Sequence, residues 1–95
     1  MNIKDLHQDD KPVSAISLFK GDGGNATSIR ILKDQVLKEH ITKIAALLVC
    51  IEGNVFYEDE KGLKEELRSG DYIQIEPMVK HWVHANMDSH LVLVK

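Results

Sequence analysis

The chain carries a single cysteine, Cys50, and so cannot close a disulfide within itself. A lone thiol in a short chain fits a reducing compartment, and a cytoplasmic location is the expectation. No basic stripe exists either. Lysines and arginines are scattered and the formal charge is -3, so nothing is arranged to neutralise phosphates and no nucleic-acid partner is expected. Long apolar runs are missing as well. The longest, Ile44 to Ile51, falls far short of a bilayer span. The start, MNIKDLHQDDK, lacks the apolar centre of a secretory leader, so no membrane partner is expected. There is no internal repeat, low-complexity tract or nucleophile elbow. GDGGN, Gly21 to Asn25, lacks the Lys-Ser/Thr and the following helix that a phosphate loop needs.

What is present is a chain of 95 residues with an ordinary globular share of apolar side chains, enough for one domain and one modest core. Residues 1–12 are polar and read as a loose N-terminal lead-in, and residues 13–95 as a single β domain. VSAISLFK, TSIRILK, VFYED, YIQIE, HWVHA and HLVLVK alternate as half-buried strands do. Turn residues separate them: GDGGN, Asp34-Gln35, Gly53-Asn54, the acidic tip at Glu58 to Gly62, SGD, Pro77 and NMDS. Lys33 to Lys43 tolerates helical spacing, but the pattern downstream favours a strand. Short strands at regular intervals predict an all-β fold, a sandwich or antiparallel barrel.

Parity locates the interior, because alternate side chains of a strand share a face. Ala46, Leu48 and Cys50 lie on one face, and Leu47, Val49 and Ile51 on the other. Both faces are apolar. One meets the barrel interior, and the other an opposing sheet or a second subunit, so a homodimer is expected.

His40, Gly53, Gly70 and His81, with LRSGD and IQIEPMVKH around the last two, resemble the two motifs of the cupin superfamily of small β-barrels. Together the motifs span His40 to Ala85, about half the chain. The family's first motif has two histidines one residue apart, then a glutamate, then a glycine. Here Thr42 stands at the second histidine, and Ala46 (Leu47 with the longer spacer) at the glutamate. The second motif has glycine, proline, glycine, histidine and asparagine. Glu76, Met78 and Ala85 stand here at its proline, second glycine and asparagine.

The resemblance implies a cupin-like antiparallel β-barrel, or jelly roll. It also implies a divalent ion (Zn, Fe, Mn or Ni) on His40 and His81. In the family, histidines two apart face one way, and a carboxylate and a third histidine complete the cage around the ion. Thr42 is a poor ligand and Ala46 is none. Cys50, Glu39, Glu76 and His84 offer no convincing replacement by parity or reach. A pocket of His40, Thr42, Ala46, Leu48, His81 and Val83 remains for a small molecule.

Three functions stay open. One is a small-molecule binder with at most an incomplete metal site. Another is a metal-dependent enzyme of oxygenase or isomerase type using His40 and His81. The last is a structural homodimer whose barrel is closed by Leu48, Cys50 and Met78. Each singled-out residue has a plainer role. Thr42 can be an ordinary β-former, Trp82 an outward packing or subunit-contact residue, and the acidic hairpin a solvated tip that discourages edge pairing. His7, His84 and His90 carry no functional assignment.

Overall fold

The structure, a computed structural model, describes residues 1–95. Nine strands follow a short 3-10 turn at Ile3–Asp5: β1 Val13–Gly21, β2 Gly24–Ile31, β3 Val36–His40, β4 Ala46–Glu52, β5 Asn54–Asp59, β6 Lys64–Arg68, β7 Tyr72–Ile75, β8 His81–Ala85 and β9 Ser89–Val94. All pairings are antiparallel. One sheet runs β1-β2-β9-β4-β7 and the other β3-β8-β5-β6. No helix is long and apolar enough to cross a membrane.

The expected strands form because their period-2 pattern gives each one an apolar face to bury. β4 alternates as the parity argument requires. Ala46, Leu48 and Cys50 are buried, whereas Leu47 and Val49 are half-buried and Ile51 is exposed. Twelve residues make up the core, among them Ile29, Ile31, Val55, Val83 and Leu91. For a chain of this length that is a small core, and association would add to it.

The two motif glycines that match are explained by backbone shape. Gly53 has φ +122° and Gly70 has φ +93°, both in the region that side chains disfavour. Gly53 is also crowded. A Cβ there would lie 2.7 Å from Ser89 Cβ. At the motif's second glycine this chain places Met78, and the backbone keeps the left-handed shape regardless, at φ +64°.

Two expectations need correction. Residues 1–12 are not loose. His7 is buried and hydrogen-bonds Ser14 Oγ at 2.8 Å through Nδ1 and Ser28 Oγ at 2.9 Å through Nε2. Arg30 binds the same segment through the carbonyls of His7 and Lys11 and the Asp9 carboxylate. Met78, for its part, does not close the barrel. It is 63% exposed, because positive φ turns its side chain outward at the bend after Pro77.

Candidate functional site

Register pairing stacks the inward side chains in layers. The innermost joins Ile29, Leu91 and Cys50 across one sheet and Val55 and Ala85 across the other. The next holds Thr27, Leu93, Leu48 and Ile73, facing Tyr57, Val83 and Leu37. At one end of the barrel the layer turns polar. There Asp59 pairs with His81, and His81 with His40, while Asn25 and Lys95 exchange backbone hydrogen bonds across β2 and the end of β9. Apolar layers hold the sheets together, and the polar layer forms the mouth.

His40 and His81 converge at this mouth, with ring centroids 5.2 Å apart. The ring of His81 is buried and stacks on Tyr57 at 5.7 Å with a 22° tilt. The ring of His40 is exposed at the rim. Each Nδ1 contacts the carbonyl two residues upstream, His40 to Lys38 at 2.8 Å and His81 to Val79 at 3.2 Å. A carbonyl only accepts, so Nδ1 carries the proton in both rings. In the neutral ring Nε2 is then left with a free lone pair.

Burial is the main cause that lowers the His81 pKa, with His40 and Lys95 adding to it against the Val79 carbonyl and Asp59. His81 is therefore uncharged at neutral pH. Tyr57 is pushed the other way, to about 12, by burial and by Asp59 and Glu76. Its phenol keeps its proton at neutral pH.

Thr42 is 4% exposed, and its Oγ1 is buried with no hydrogen-bond partner. A hydroxyl desolvated in this way costs stability unless something completes it. Its backbone carbonyl, by contrast, is tied to the Met78 amide at 2.8 Å. Of the other pocket residues, Ala46, Leu48 and Val83 are buried on inward positions of β4 and β8. All six expected residues thus lie at the mouth or in the layer beneath it.

The metal cage does not fit. No three His, Cys, Asp or Glu side chains are grouped to hold one ion. Asp59 comes nearest by register, but its Oδ1 accepts the amides of Lys61 at 2.8 Å and Leu63 at 3.1 Å. Glu76 is ion-paired to Lys61 at 3.0 Å. Cys50 lies in the innermost layer, where burial and then Asp71 push its thiol up to about 11, a poor source of thiolate.

No family model matches this chain, and no curated protein matches it. Solved structures do. A cupin superfamily protein from Desulfitobacterium hafniense DCB-2 superposes with a TM-score of 0.85 at 11% identity, over 98% of this chain and 84% of its own. The chain has the cupin fold. An RmlC-like cupin from Desulfovibrio desulfuricans gives 0.82 at 16% identity, over 94% and 86% of the two chains. KdgF from a Halomonas species gives 0.82 at 20% identity, over 99% and 89%. At such identities a shared cupin fold says nothing of a shared substrate.

Sequence reasoning missed several residues of this cupin mouth. Tyr57, Asn25, Thr27 and Lys95 all point inward by register, but that register is knowable only once strands are aligned. It also passed over His7. Ser14 Oγ donates to Asp9 Oδ2 at 3.0 Å, so it accepts from His7 Nδ1, and Nε2 accepts from Ser28. The chain of bonds resembles a nucleophile relay, yet Ser28 is 0% exposed and no substrate can reach it. Its role is to hold the lead-in against the sheet.

Proposed function

We propose that this chain binds a small polar molecule at the barrel mouth, among His40, Thr42, Tyr57 and His81. The observation that carries the reading is the pair of imidazoles converging at the mouth with free Nε2 positions, with the buried, partnerless hydroxyl of Thr42 two residues along the chain from His40. A bound molecule supplying an acceptor to Thr42 and a donor to Nε2 of His81 would complete both. Ala46, Leu48 and Val83 form the apolar wall below. Native mass spectrometry of freshly purified protein tests this. An organic adduct lost in Thr42→Val and His81→Phe variants is the expected result, and protein without any adduct counts against it.

A second reading has one observation in its favour. Backbone carbonyls hold both imidazoles in the Nδ1–H tautomer, as they do for metal-binding histidines. A divalent ion (Zn, Fe, Mn or Ni) on His40 and His81 would then take its remaining ligands from water or substrate and supply Lewis acidity. Any oxygenase- or isomerase-type activity would depend on it. Two nitrogen ligands make that binding weak.

The same proposal includes a homodimer through the outer face of the five-stranded sheet. Val49 there neighbours Tyr72 and Val92 by register, and Ile51, Tyr72 and Val94 are 42%, 65% and 40% exposed. Apolar side chains gathered on one open sheet face suit a second copy of themselves.

A further inference from the structure

On the outer face of the five-stranded sheet, far fewer contacts hold Met1–Gln8 than hold the residues after it. Ser28 and Arg30 alternate with the core residues Ile29 and Ile31, so they face outward. His7 docks on this face through Ser28 and through Ser14 of β1. The other ties of the segment are slight. The Lys4–Glu52 pair is solvent-exposed at both ends, the 3-10 turn buries no residue, and the core takes nothing from the segment. Arg30 Nη1 reaches the His7 carbonyl at 3.3 Å. From Asp9 onward the hold is firmer. Arg30 Nη2 donates to Asp9 Oδ1 and to the Lys11 carbonyl, both at 3.0 Å, and Ser14 Oγ donates to Asp9 Oδ2 at 3.0 Å. A hinge therefore falls at Gln8.

The surroundings of His7 suit a neutral ring. Arg30 faces it from β2, His90 from β9 with ring centroids 5.9 Å apart, and Asp9 from its own segment. Glu52 of β4, Lys4 and Asp88 lie around His90. Asp9, the one carboxylate beside His7, is already bonded to Arg30, Ser14 and the Lys11 amide. Protonation turns a second ring N–H against Ser28 Oγ, which is 0% exposed and has no other hydrogen-bond partner. Burial and the Arg30 charge accordingly hold the docked ring's pKa below 6.5. In the docked state Arg30 Nε and His90 Nδ1 are also buried without partners, a cost that water removes once the segment lifts.

We propose that Met1–Gln8 is a pH-operated latch: protonation of His7 undocks it from the sheet while the barrel stays folded. Release opens the Ser28, Arg30 and His90 face to solvent. Asp9 and Lys11 stay anchored, because the Lys11 amide keeps the Asp9 carboxyl below its usual range and so ionised. Local opening is cheap for a segment that lends nothing to the core. The docked ring binds a proton less readily than the free one, so docking is complete above pH 6.5 and weakens below it. With a free ring titrating near 6.5 and a docked ring that stays neutral, the loose-to-docked ratio rises about tenfold from pH 7.5 to 5.5.

Amide shifts of isotopically labelled protein, followed from pH 7.5 to 5.5, test the latch. A free peptide of the first eight residues at each pH supplies the undocked reference. The expected result is that Asp5, Leu6 and Gln8 move toward the peptide values, with the tenfold change in ratio, while Ile29, Cys50 and Leu91 keep their folded shifts. A His90→Asn variant should keep the step. A His7→Asn variant should show none, whether its segment is docked or loose throughout. Three results overturn the latch: segment shifts that stay docked down to pH 5.5, segment and barrel shifts that move together, or a step that survives His7→Asn. The first and second are read on the parent protein alone, so they stand even if a variant fails to fold.

Discussion

The backbone amide of Met78 donates to the carbonyl of Thr42 at 2.8 Å, which ties the bend after Pro77 to the residue that replaces the family's second histidine. Met78 makes this bond from a left-handed conformation, φ +64°. That shape costs an L-residue with a side chain about 1 kcal/mol relative to glycine. The side chain recovers little by packing, being 63% exposed. Met78→Gly should therefore stabilise the fold by about 1 kcal/mol. Met78→Val should lower stability, since a branched Cβ suits the conformation worse. Chemical denaturation of the two variants checks both signs.

Thr42→Val separates stability from binding. Valine keeps the shape and removes a buried hydroxyl that has no partner. Stability should rise by about 1 kcal/mol, while retention of the small molecule falls. If the variant is less stable than the parent, the hydroxyl has a partner within the protein, and the argument for a ligand there fails.

Gly53 offers a test of the fold alone. Its φ of +122° and the nearness of Ser89 leave no room for a side chain. Gly53→Ala should cost about 2 kcal/mol, visible as a lower melting temperature. An unchanged melting temperature would show that the β4–β5 turn has another shape.

Acid should destabilise the protein through three histidines. Burial lowers the pKa of His7, His81 and His90, and Arg30 adds to it for His7 and His90. Asp9 opposes the shift at His7, and Glu52 and Asp88 oppose it at His90, where Lys4 reinforces it. The folded values lie below the unfolded value of 6.5, so the unfolded chain binds more protons as pH drops past it. Stability is full above pH 6.5 and declines below it, until the folded rings also protonate. Protonated His7 could no longer accept from Ser28. Denaturation midpoints between pH 8 and 5 check the slope, and His7→Asn should flatten it. His7→Ala should cost about 2 kcal/mol at neutral pH, since it leaves Ser14 and Ser28 incompletely paired.

Light scattering checks the dimer. The parent should run as two copies, and Val49→Lys, on the outer face of β4, as one. A parent that stays monomeric at high concentration contradicts the proposed interface.

The strands were legible because VSAISLFK, YIQIE and HLVLVK each alternate, and a period of two has only one structural meaning. The parity of β4 placed Ala46, Leu48 and Cys50 inside, where they are buried. From spacing and the cupin resemblance, His40 and His81 could be paired across strands. Other features carried no local signal. His7 sits in a polar stretch, and its burial depends on Ser14 and Ser28 arriving from β1 and β2. Lys95 and Asn25 share the mouth only because β2 and β9 pair in one register. Nothing in the letters PMVK announces a methionine with positive φ.

The barrel is whole, while the ion cage lacks ligands at Thr42 and Ala46. Metal content of freshly purified protein, measured beside a Thr42→His, Ala46→Glu variant, tests it most directly. Well under one ion per chain is expected in the parent and close to one in the variant. A full, tightly held ion in the parent would contradict it.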